Sequence, residues 1–486
     1  MPADREIELK FACGPGDLAA VLAAAPAGDD ETRELISVYF DTPDRMLQKA
    51  GASLRVREHL GLRTQTLKRG QGLVRQEYEA PIEGLAPDPA LEPLPSMLPD
   101  GATLRPAFNV RVSRRQRTFR YRTAEIELAL DQGEVTGGDR RSAICEVELE
   151  LKSGPPVALF ALARELAAAA PLYLAFDSKA ARGQALMAGP GHADAKSPEV
   201  ALVGDASVGE AFQAVARRAL AQIAANAAAL RLDPGPEAVH QLRVGARRLR
   251  SALTTFRPIL GAEALDPLKA ELRWLSHACD AARNLDVFAE ERLRPAELGA
   301  EPSLGLAALR KAVDAARRAA WAEAAEAAAS ARFRTLMIDA AAWMETGDWL
   351  DGEAAAAPIA PFARRALKRH RRKVAKRGQD ARGGDDAARH RLRIEAKTLR
   401  YAVDALASLY SERRVRRYVG RLRDLQDTLG ALNDMASAKP MIATLKLTPE
   451  AAFAAGELAG LAAAGRARLL AQARRALTRL TAADLP

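Results

Sequence analysis

Two short stretches set carboxylates at a spacing that a metal ion can use. In EIELK, Glu6, Glu8 and Lys10 alternate with Ile7 and Leu9; in CEVELEL, Glu146, Glu148 and Glu150 alternate with apolar residues. Extended backbone turns successive side chains to opposite faces, so each stretch lays its charges along one face of a strand. The design recurs. SLRVR aligns Arg55 and Arg57, TLK offers Lys68, VRQEYE aligns Arg75, Glu77 and Glu79, and AEIEL aligns Glu125 and Glu127. For any single strand, a charged face in solvent is the ordinary reading. Repeated around a closed barrel, the pattern lines an interior with both signs of charge. Carboxylates there would hold a hard divalent cation, and Lys and Arg would hold phosphate oxygens.

A second kind of chemistry sits further along. HQLRVGARRLRSAL carries His240, Arg243, Arg247 and Arg250, and HRLRIEAKTLRYAV carries His390, Arg393, Lys397 and Arg400 at the same spacing. At 100° per residue, spacings of 3, 4 and 3 confine the four side chains to an arc of about 80° on a helix. Such a stripe repels itself unless acids are interleaved, and only Glu395 lies within either ladder. A solvated face has no need to be so unbalanced, so the duplicated stripe points to an anion. Three permanent cations beside each histidine would repel a divalent metal ion. They suit phosphate oxygens, which Arg meets with a planar fork. Single-strand nucleic-acid binders interleave aromatics for stacking, and Tyr401 is the one aromatic in either ladder, which disfavours nucleic acid.

The elements that must carry these residues divide the chain. At 486 residues, two or three domains are expected. Residues 1–187 read as about eight short alternating segments with turn residues between them, an antiparallel barrel or sandwich, with one helix at PPVALFALARELAAAA. Residues 188–206 are rich in Gly, Pro, Ala and Ser and read as a linker. Residues 207–486 read as helices. There the ladders recur at an offset of 150, and the same offset maps LRWLSHACDAARN onto LRDLQDTLGALND, which predicts a duplicated helical unit over about 207–345 and 360–486. Residues 1–200 carry 25 Lys and Arg against 29 Asp and Glu, whereas residues 201–486 carry 47 against 33. The halves have opposite electrostatic tasks. With no run of 18 apolar residues and no leader-like start, a soluble cytoplasmic protein without membrane attachment is expected. Cys13, Cys145 and Cys279 lack metal-type spacing and are expected to be inert thiols.

The helical motifs resemble the CHAD domain, the conserved histidine α-helical domain. That resemblance implies two pseudo-symmetric four-helix bundles around a basic pocket for inorganic polyphosphate, with His240, Arg243, Arg247, Arg250, His390, Arg393, Lys397 and Arg400 at the motif positions. Asn284 departs from the aspartate common there. ExExK followed by RxR, TLK, RQEYE, ExE, ExExE and SKAARG resembles the CYTH family of triphosphate tunnel metalloenzymes. This implies an eight-stranded antiparallel tunnel that hydrolyses a triphosphate with Mg²⁺ or Mn²⁺. Glu6, Glu8, Glu146 and Glu148 would contribute to the metal sites, with Glu125 and Glu127 nearby, and Glu6, Glu8 and Lys10 would be catalytic. Lys10, Arg55, Arg57, Lys68, Arg75 and Lys179 would clamp phosphates, joined by Arg115 and Arg117, although SRRQR is ambiguous by one residue and a slip exchanges faces.

Together the resemblances imply an inorganic triphosphatase whose helical half binds polyphosphate, with association with polyphosphate granules as a further expectation. The competing readings are a non-catalytic polyphosphate-binding protein and a tunnel enzyme acting on thiamine triphosphate or a nucleotide. The His-Phe pair of cyclase-type members is absent before EIELK.

Overall fold

A computed structural model describes residues 4–70, 74–99, 101–189, 200–202, 204–261, 265–299, 305–383 and 385–486. The chain separates into two compact units. The first comprises residues 1–195 together with 330–347, and the second comprises 196–329 and 348–486.

The first unit is built on an antiparallel sheet of β1 (Asp4–Ala12), β2 (Asp30–Asp41), β3 (Ala52–His59), β4 (Leu62–Arg69), β5 (Val74–Ile82), β6 (Arg105–Tyr121), β7 (Ala124–Gly137), β8 (Arg140–Ser153) and β9 (Tyr173–Ala175). The strands run in the order β5-β4-β3-β2-β6-β7-β8-β1, and β5 pairs with β1, so eight strands close on themselves; β9 adds to the far part of β1. Alternation decides what each face buries. Leu9, Phe11, Leu128, Leu130, Val147 and Leu149 are buried on the outer face, where α1 (Leu18–Ala24) and α3 (Pro156–Ala169) pack. On another sector, Leu54, Val56 and Leu67 pack with Leu47 of α2 (Met46–Lys49) and with Leu94. The inner face is mostly charged, but one part is closed by Leu35, Tyr39, Phe108, Val110, Val112 and Val135 beneath α4 (Lys179–Ala188). Gly183 of α4 is required there, because a Cβ would lie 2.1 Å from the Phe108 ring.

The second unit is all helix. Its first half contains α5 (Val208–Leu232), α6 (Pro236–Thr255), short α7 (Arg257–Leu260), α8 (Leu265–Ala278) running on into α9 (Asp280–Phe288), short α10 (Arg294–Glu297) and α11 (Leu306–Ala329). After α12 (Ala331–Thr346) and short α13 (Glu353–Ala356), the plan repeats with α14 (Ile359–Arg382), α15 (Asp386–Ala405), α16 (Glu412–Ala443) and the pair α17 (Pro449–Ala464) and α18 (Arg466–Thr481). Four helical segments therefore occur twice, α6 and α15 at the predicted offset. The halves meet through stacked Phe256 and Phe362, with ring centroids 5.1 Å apart, and through packing of α6 on α15.

The division differs from the expected one at α12. It falls within the span assigned to the first helical repeat, yet it groups with the barrel unit. It packs on α3 and β9, where Arg164 Nε donates to Asp339 Oδ1 at 2.6 Å and the Arg334 guanidinium lies 5.5 Å from the Tyr173 ring centroid. A linker composition cannot reveal such a return, because α12 has an ordinary amphipathic sequence. Cys13, just past the end of β1, and Cys145 on β8 are distant in sequence, yet their sulfurs lie 3.7 Å apart. Burial raises both thiol pKa values, and it pushes Cys279 up to about 11, so all three favour the protonated, unreactive form. Among the described residues, no helix is long and apolar enough to cross a membrane.

Candidate active site and cationic face

Inside the ring, strand register brings the acids together. Asp131 on β7 lies opposite Glu146 on β8, and Lys10 on β1 lies opposite Glu148. Asp131, Glu146 and Glu148 are buried, and one ligand oxygen from each falls within 4.8 Å of the others. Cations are interleaved with them. Lys179 Nζ, from the first turn of α4, lies 2.7 Å from Asp131 Oδ2, 2.9 Å from Glu146 Oε2 and 2.7 Å from Glu148 Oε1. Lys10 Nζ lies 2.5 Å from Glu148 Oε1 and 3.8 Å from both Glu146 and Glu8. Arg114 grips Asp131 through Nε and Nη2, each at 2.7 Å, and also donates to Glu148. Arg182, one helical turn beyond Lys179, donates to Glu146 Oε1 at 2.8 Å.

The energetics follow from these contacts. Burial by itself would drive the Glu148 carboxyl pKa up, but Lys10, Lys179 and Arg114 overcome it and hold that pKa well below the ordinary carboxylate range. Burial opposes ionisation of Asp131 too, and Lys179 and Arg114 reverse it. Lys179 keeps its proton firmly, because three carboxylates outweigh the cost of its burial. Asp131 and Glu148 are thus held ionised by buried, hydrogen-bonded cations. Three buried carboxylates form the hard oxygen set that a divalent cation prefers, and the ammonium of Lys179 supplies the positive charge that the set requires. The donors fit a metal ion of that class.

Of the residues expected inside the tunnel, Lys10, Glu8, Glu146, Glu148 and Lys179 meet in this cluster. Arg55, Arg57 and Lys68 line the neighbouring wall. Arg55 lies 3.6 Å from Glu77, Lys68 lies 2.9 Å from Glu77, and Arg57 Nε donates to Ser37 Oγ at 3.2 Å. Burial, followed by the nearby Arg55, pushes Arg57 down to about 10. Glu127 stands further along β7, tied to Gln116 at 2.7 Å and Lys152 at 3.3 Å, and Glu125 is exposed at the strand's end. Backbone pairing sets Glu6 opposite Arg75, but their side chains lie outside the described residues.

Arg115 and Arg117 are a correction. Arg117 grips Asp30 at 2.7 and 3.0 Å, and Arg115 reaches the same carboxylate at 2.5 Å. The residue in the acidic cluster is Arg114. In β6 the inward positions are Val110, Val112 and Arg114, so the slip within SRRQR runs the other way. Asp131 and Arg182 also escaped sequence reasoning. Period two continued from Glu125 and Glu127 reaches Asp131, and three residues past Lys179 on a helix reaches Arg182.

In the second unit, α6 and α15 bring the two ladders side by side. Arg243 donates to the Ser276 carbonyl at 2.7 Å and to Asp280. His390 Nδ1 lies 2.9 Å from Asn433 Oδ1. Burial lowers the pKa of Lys397 to about 6, helped by Arg247 and Arg393 and opposed by Asp434. Burial likewise lowers His240, with Arg283 adding to it, and lowers Arg250 and Arg393. The Arg393 Nε is buried with no hydrogen-bond partner among the described residues. Asn284 is the first-copy counterpart of Asp434, so only the second copy has an acid at that position. The stripe is a concentration of positive charge held at an electrostatic cost, as a preformed anion site would be.

With this geometry the chain falls into a recognisable class. Residues 4–184 match the family model of the CYTH domain and residues 214–443 that of the CHAD domain, so the chain belongs to the proteins that join the two. It is 34% identical over 201 residues to an inorganic triphosphatase of Haemophilus influenzae, a match spanning 37% of this chain and 55% of that protein. The aligned part is thus about half of that relative's length. The crystal structure of the CHAD domain from the plant Ricinus communis is 31% identical, with a TM-score of 0.52, over 61% of this chain and 99% of that one.

Proposed function

We propose that the barrel is a divalent-metal-dependent inorganic triphosphatase, hydrolysing tripolyphosphate, and that the helical unit holds inorganic polyphosphate. The observation that carries the reading is the buried set of Asp131, Glu146 and Glu148 interleaved with Lys10, Lys179 and Arg114. A triphosphate carries about four negative charges that repel attacking water, and catalysis consists of spreading that charge. Lys10, Arg55, Arg57, Lys68, Arg75, Arg114 and Lys179 do so as phosphate ligands. Asp131, Glu146 and Glu148, with Glu6 and Glu8 on β1, would hold the metal, Mg²⁺ or Mn²⁺. When bound, that ion polarises a phosphoryl oxygen and acidifies water.

Partner exchange links the free and loaded forms. Without substrate, Lys10, Lys179 and Arg114 neutralise the carboxylates. With a divalent cation bound, the carboxylates would serve as its ligands, and Lys10, Lys179 and Arg114 would be released to hold phosphate. No charge is left buried and unpaired in either state. Glu8, at the edge of the cluster 3.8 Å from Lys10, is placed to accept a hydrogen bond from a water and so orient it against the terminal phosphorus. In the helical unit, Arg243, Arg247, Arg393 and Lys397 form the floor of a track for a linear polyanion, which relieves their mutual repulsion.

The test is phosphate release from tripolyphosphate, ATP, thiamine triphosphate and long-chain polyphosphate, each with Mg²⁺ and with Mn²⁺. Fastest turnover of tripolyphosphate, lost on chelation and in Glu148→Gln, is expected. Preference for thiamine triphosphate or a nucleotide would reassign the substrate, and no release from any of the four would leave a polyphosphate-binding protein.

A further inference from the structure

Outside the ladders, the outer face of α14 carries a second concentration of charge. Arg364, Arg365, Lys368, Arg372 and Lys376 are all exposed, fall within an arc of about 120° and span about 18 Å of helix. No acid stands on α14 before Asp380. Among the described residues, none of the five makes an ion pair or a hydrogen bond. Other cations of the same helix are employed in the fold. Arg369 donates to the Thr255 carbonyl at 2.6 Å, Arg371 to the Ala483 carbonyl at 3.1 Å, and Arg377 pairs with Asp380 at 3.3 Å. Like charges three and four residues apart weaken a helix, so stability does not explain the five. Nor does the duplication. Buried Val208, Ile223 and Ala227 of α5 stand 151 residues before buried Ile359, Val374 and Gly378, which makes α5 the first-bundle counterpart of α14. At that offset, Gln213, Ala214, Ala221 and Ala225 occupy the places of Arg364, Arg365, Arg372 and Lys376, and Arg217 that of Lys368. The buried face repeats because each bundle needs it; the outer charge is particular to α14.

We propose that this face is a docking surface for duplex DNA, held through its phosphates without reading sequence. Aromatics for base stacking are missing, as at the ladders, which disfavours single strands. A duplex keeps its bases stacked on one another and presents phosphates instead, and phosphate contacts need Lys and Arg alone. Phe362, Leu367 and Val374 are buried inside the unit, so the face has no large apolar side chain to sink into a bilayer. The major groove of B-DNA, about 12 Å wide, takes the width of an α-helix, and the phosphate rows at its edges come within reach of cations spread over such an arc. No ladder residue takes part.

The test is fluorescence anisotropy of a labelled DNA duplex of about 20 bp and arbitrary sequence, titrated with the full-length protein in EDTA. Micromolar binding is expected at about 50 mM salt, weakening with a log–log slope of about −4 to −5 as five phosphates are neutralised. Lys368→Gln, Arg372→Gln and Lys376→Gln together should lower affinity at least about tenfold and flatten the slope by about 2 to 3. Lys311→Gln, Lys439→Gln and Lys446→Gln together remove the same charge from other exposed positions and should change affinity by less than about twofold. The face substitutions relieve repulsion at exposed positions, so the fold tolerates them, as circular dichroism verifies. Absence of duplex binding at about 50 mM salt overturns the proposal. So does an equal loss in the second triple variant, which would make the binding a matter of net charge. Loss of affinity for phosphatidylglycerol vesicles or long-chain polyphosphate in the face variant, with duplex binding unchanged, would give the face to a membrane or to the polyphosphate track.

Discussion

Lys179 Nζ stands 2.7 Å from Asp131 Oδ2, among three carboxylates whose oxygens gather as they would around a divalent ion. Lysine and metal are therefore alternatives at one place. Removing one partner from a buried ion cluster costs about 3–5 kcal/mol when nothing replaces it. Lys179→Met should lower the melting temperature in EDTA, and Mn²⁺ should restore more of it than the same ion adds to the unsubstituted protein. Thermal unfolding with and without Mn²⁺ reads both numbers. Equal Mn²⁺ shifts in the two proteins would show that lysine and metal do not compete.

Asp131 is fully buried and takes a two-point grip from Arg114. Asp131→Asn keeps the shape but removes a charge and one metal-type ligand. Phosphate release from tripolyphosphate should fall by about a hundredfold or more, with weaker Mn²⁺ affinity, as expected when a buried electrostatic group is neutralised. An active Asp131→Asn variant would transfer the metal to other acids of the tunnel.

The arginines of β6 separate the two possible registers. Arg114→Gln should raise the KM for tripolyphosphate about tenfold or more, because a charge-assisted bidentate donor is lost. Arg115→Gln, which loses only a contact to Asp30 at the surface, should stay within about twofold. Steady-state kinetics on the two variants decides, and the opposite order would restore the register expected from SRRQR.

That pair also shows where the sequence was legible. Alternation in EIELK and CEVELEL set Lys10, Glu146 and Glu148 on inner faces, because a strand has only two faces and one is apolar. The ladders were legible for a similar reason, since a helix fixes the azimuth of residues three and four apart. Two adjacent arginines in SRRQR give alternation nothing to choose between, and Asp30, which settles the matter, lies 85 residues before Arg115. The return of α12 to the barrel unit and the meeting of Cys13 with Cys145 are likewise long-range events with no local signal. Asp131 was accessible in principle, lying on the Glu125–Glu127 face, but an isolated acid beyond an apolar run resembles a turn residue.

Lys397 makes the helical unit sensitive to pH. Burial first, then Arg247 of α6, Arg393 of α15 and Arg243 of α6, with Asp434 of α16 as the opposing acid, lower its pKa from an ordinary 10.5 to about 6. Between those values the unfolded chain holds a proton that the folded one lacks, so this group's contribution to stability rises with pH across that window. Lys397→Met should therefore raise the melting temperature, most near pH 6 and progressively less toward pH 10. A bound polyanion cancels the repulsion from the neighbouring arginines and offsets the cost of burial with opposite charge, so Lys397 takes up a proton on binding. His240, lowered mainly by burial and by Arg283, adds to the uptake. At pH 7.5 polyphosphate binding should take up protons, and affinity should strengthen as pH falls toward 6. Calorimetry in two buffers of different ionisation enthalpy measures the uptake, which Lys397→Met should reduce. Equal binding enthalpies in both buffers, for both proteins, would show that Lys397 is already charged in the free protein.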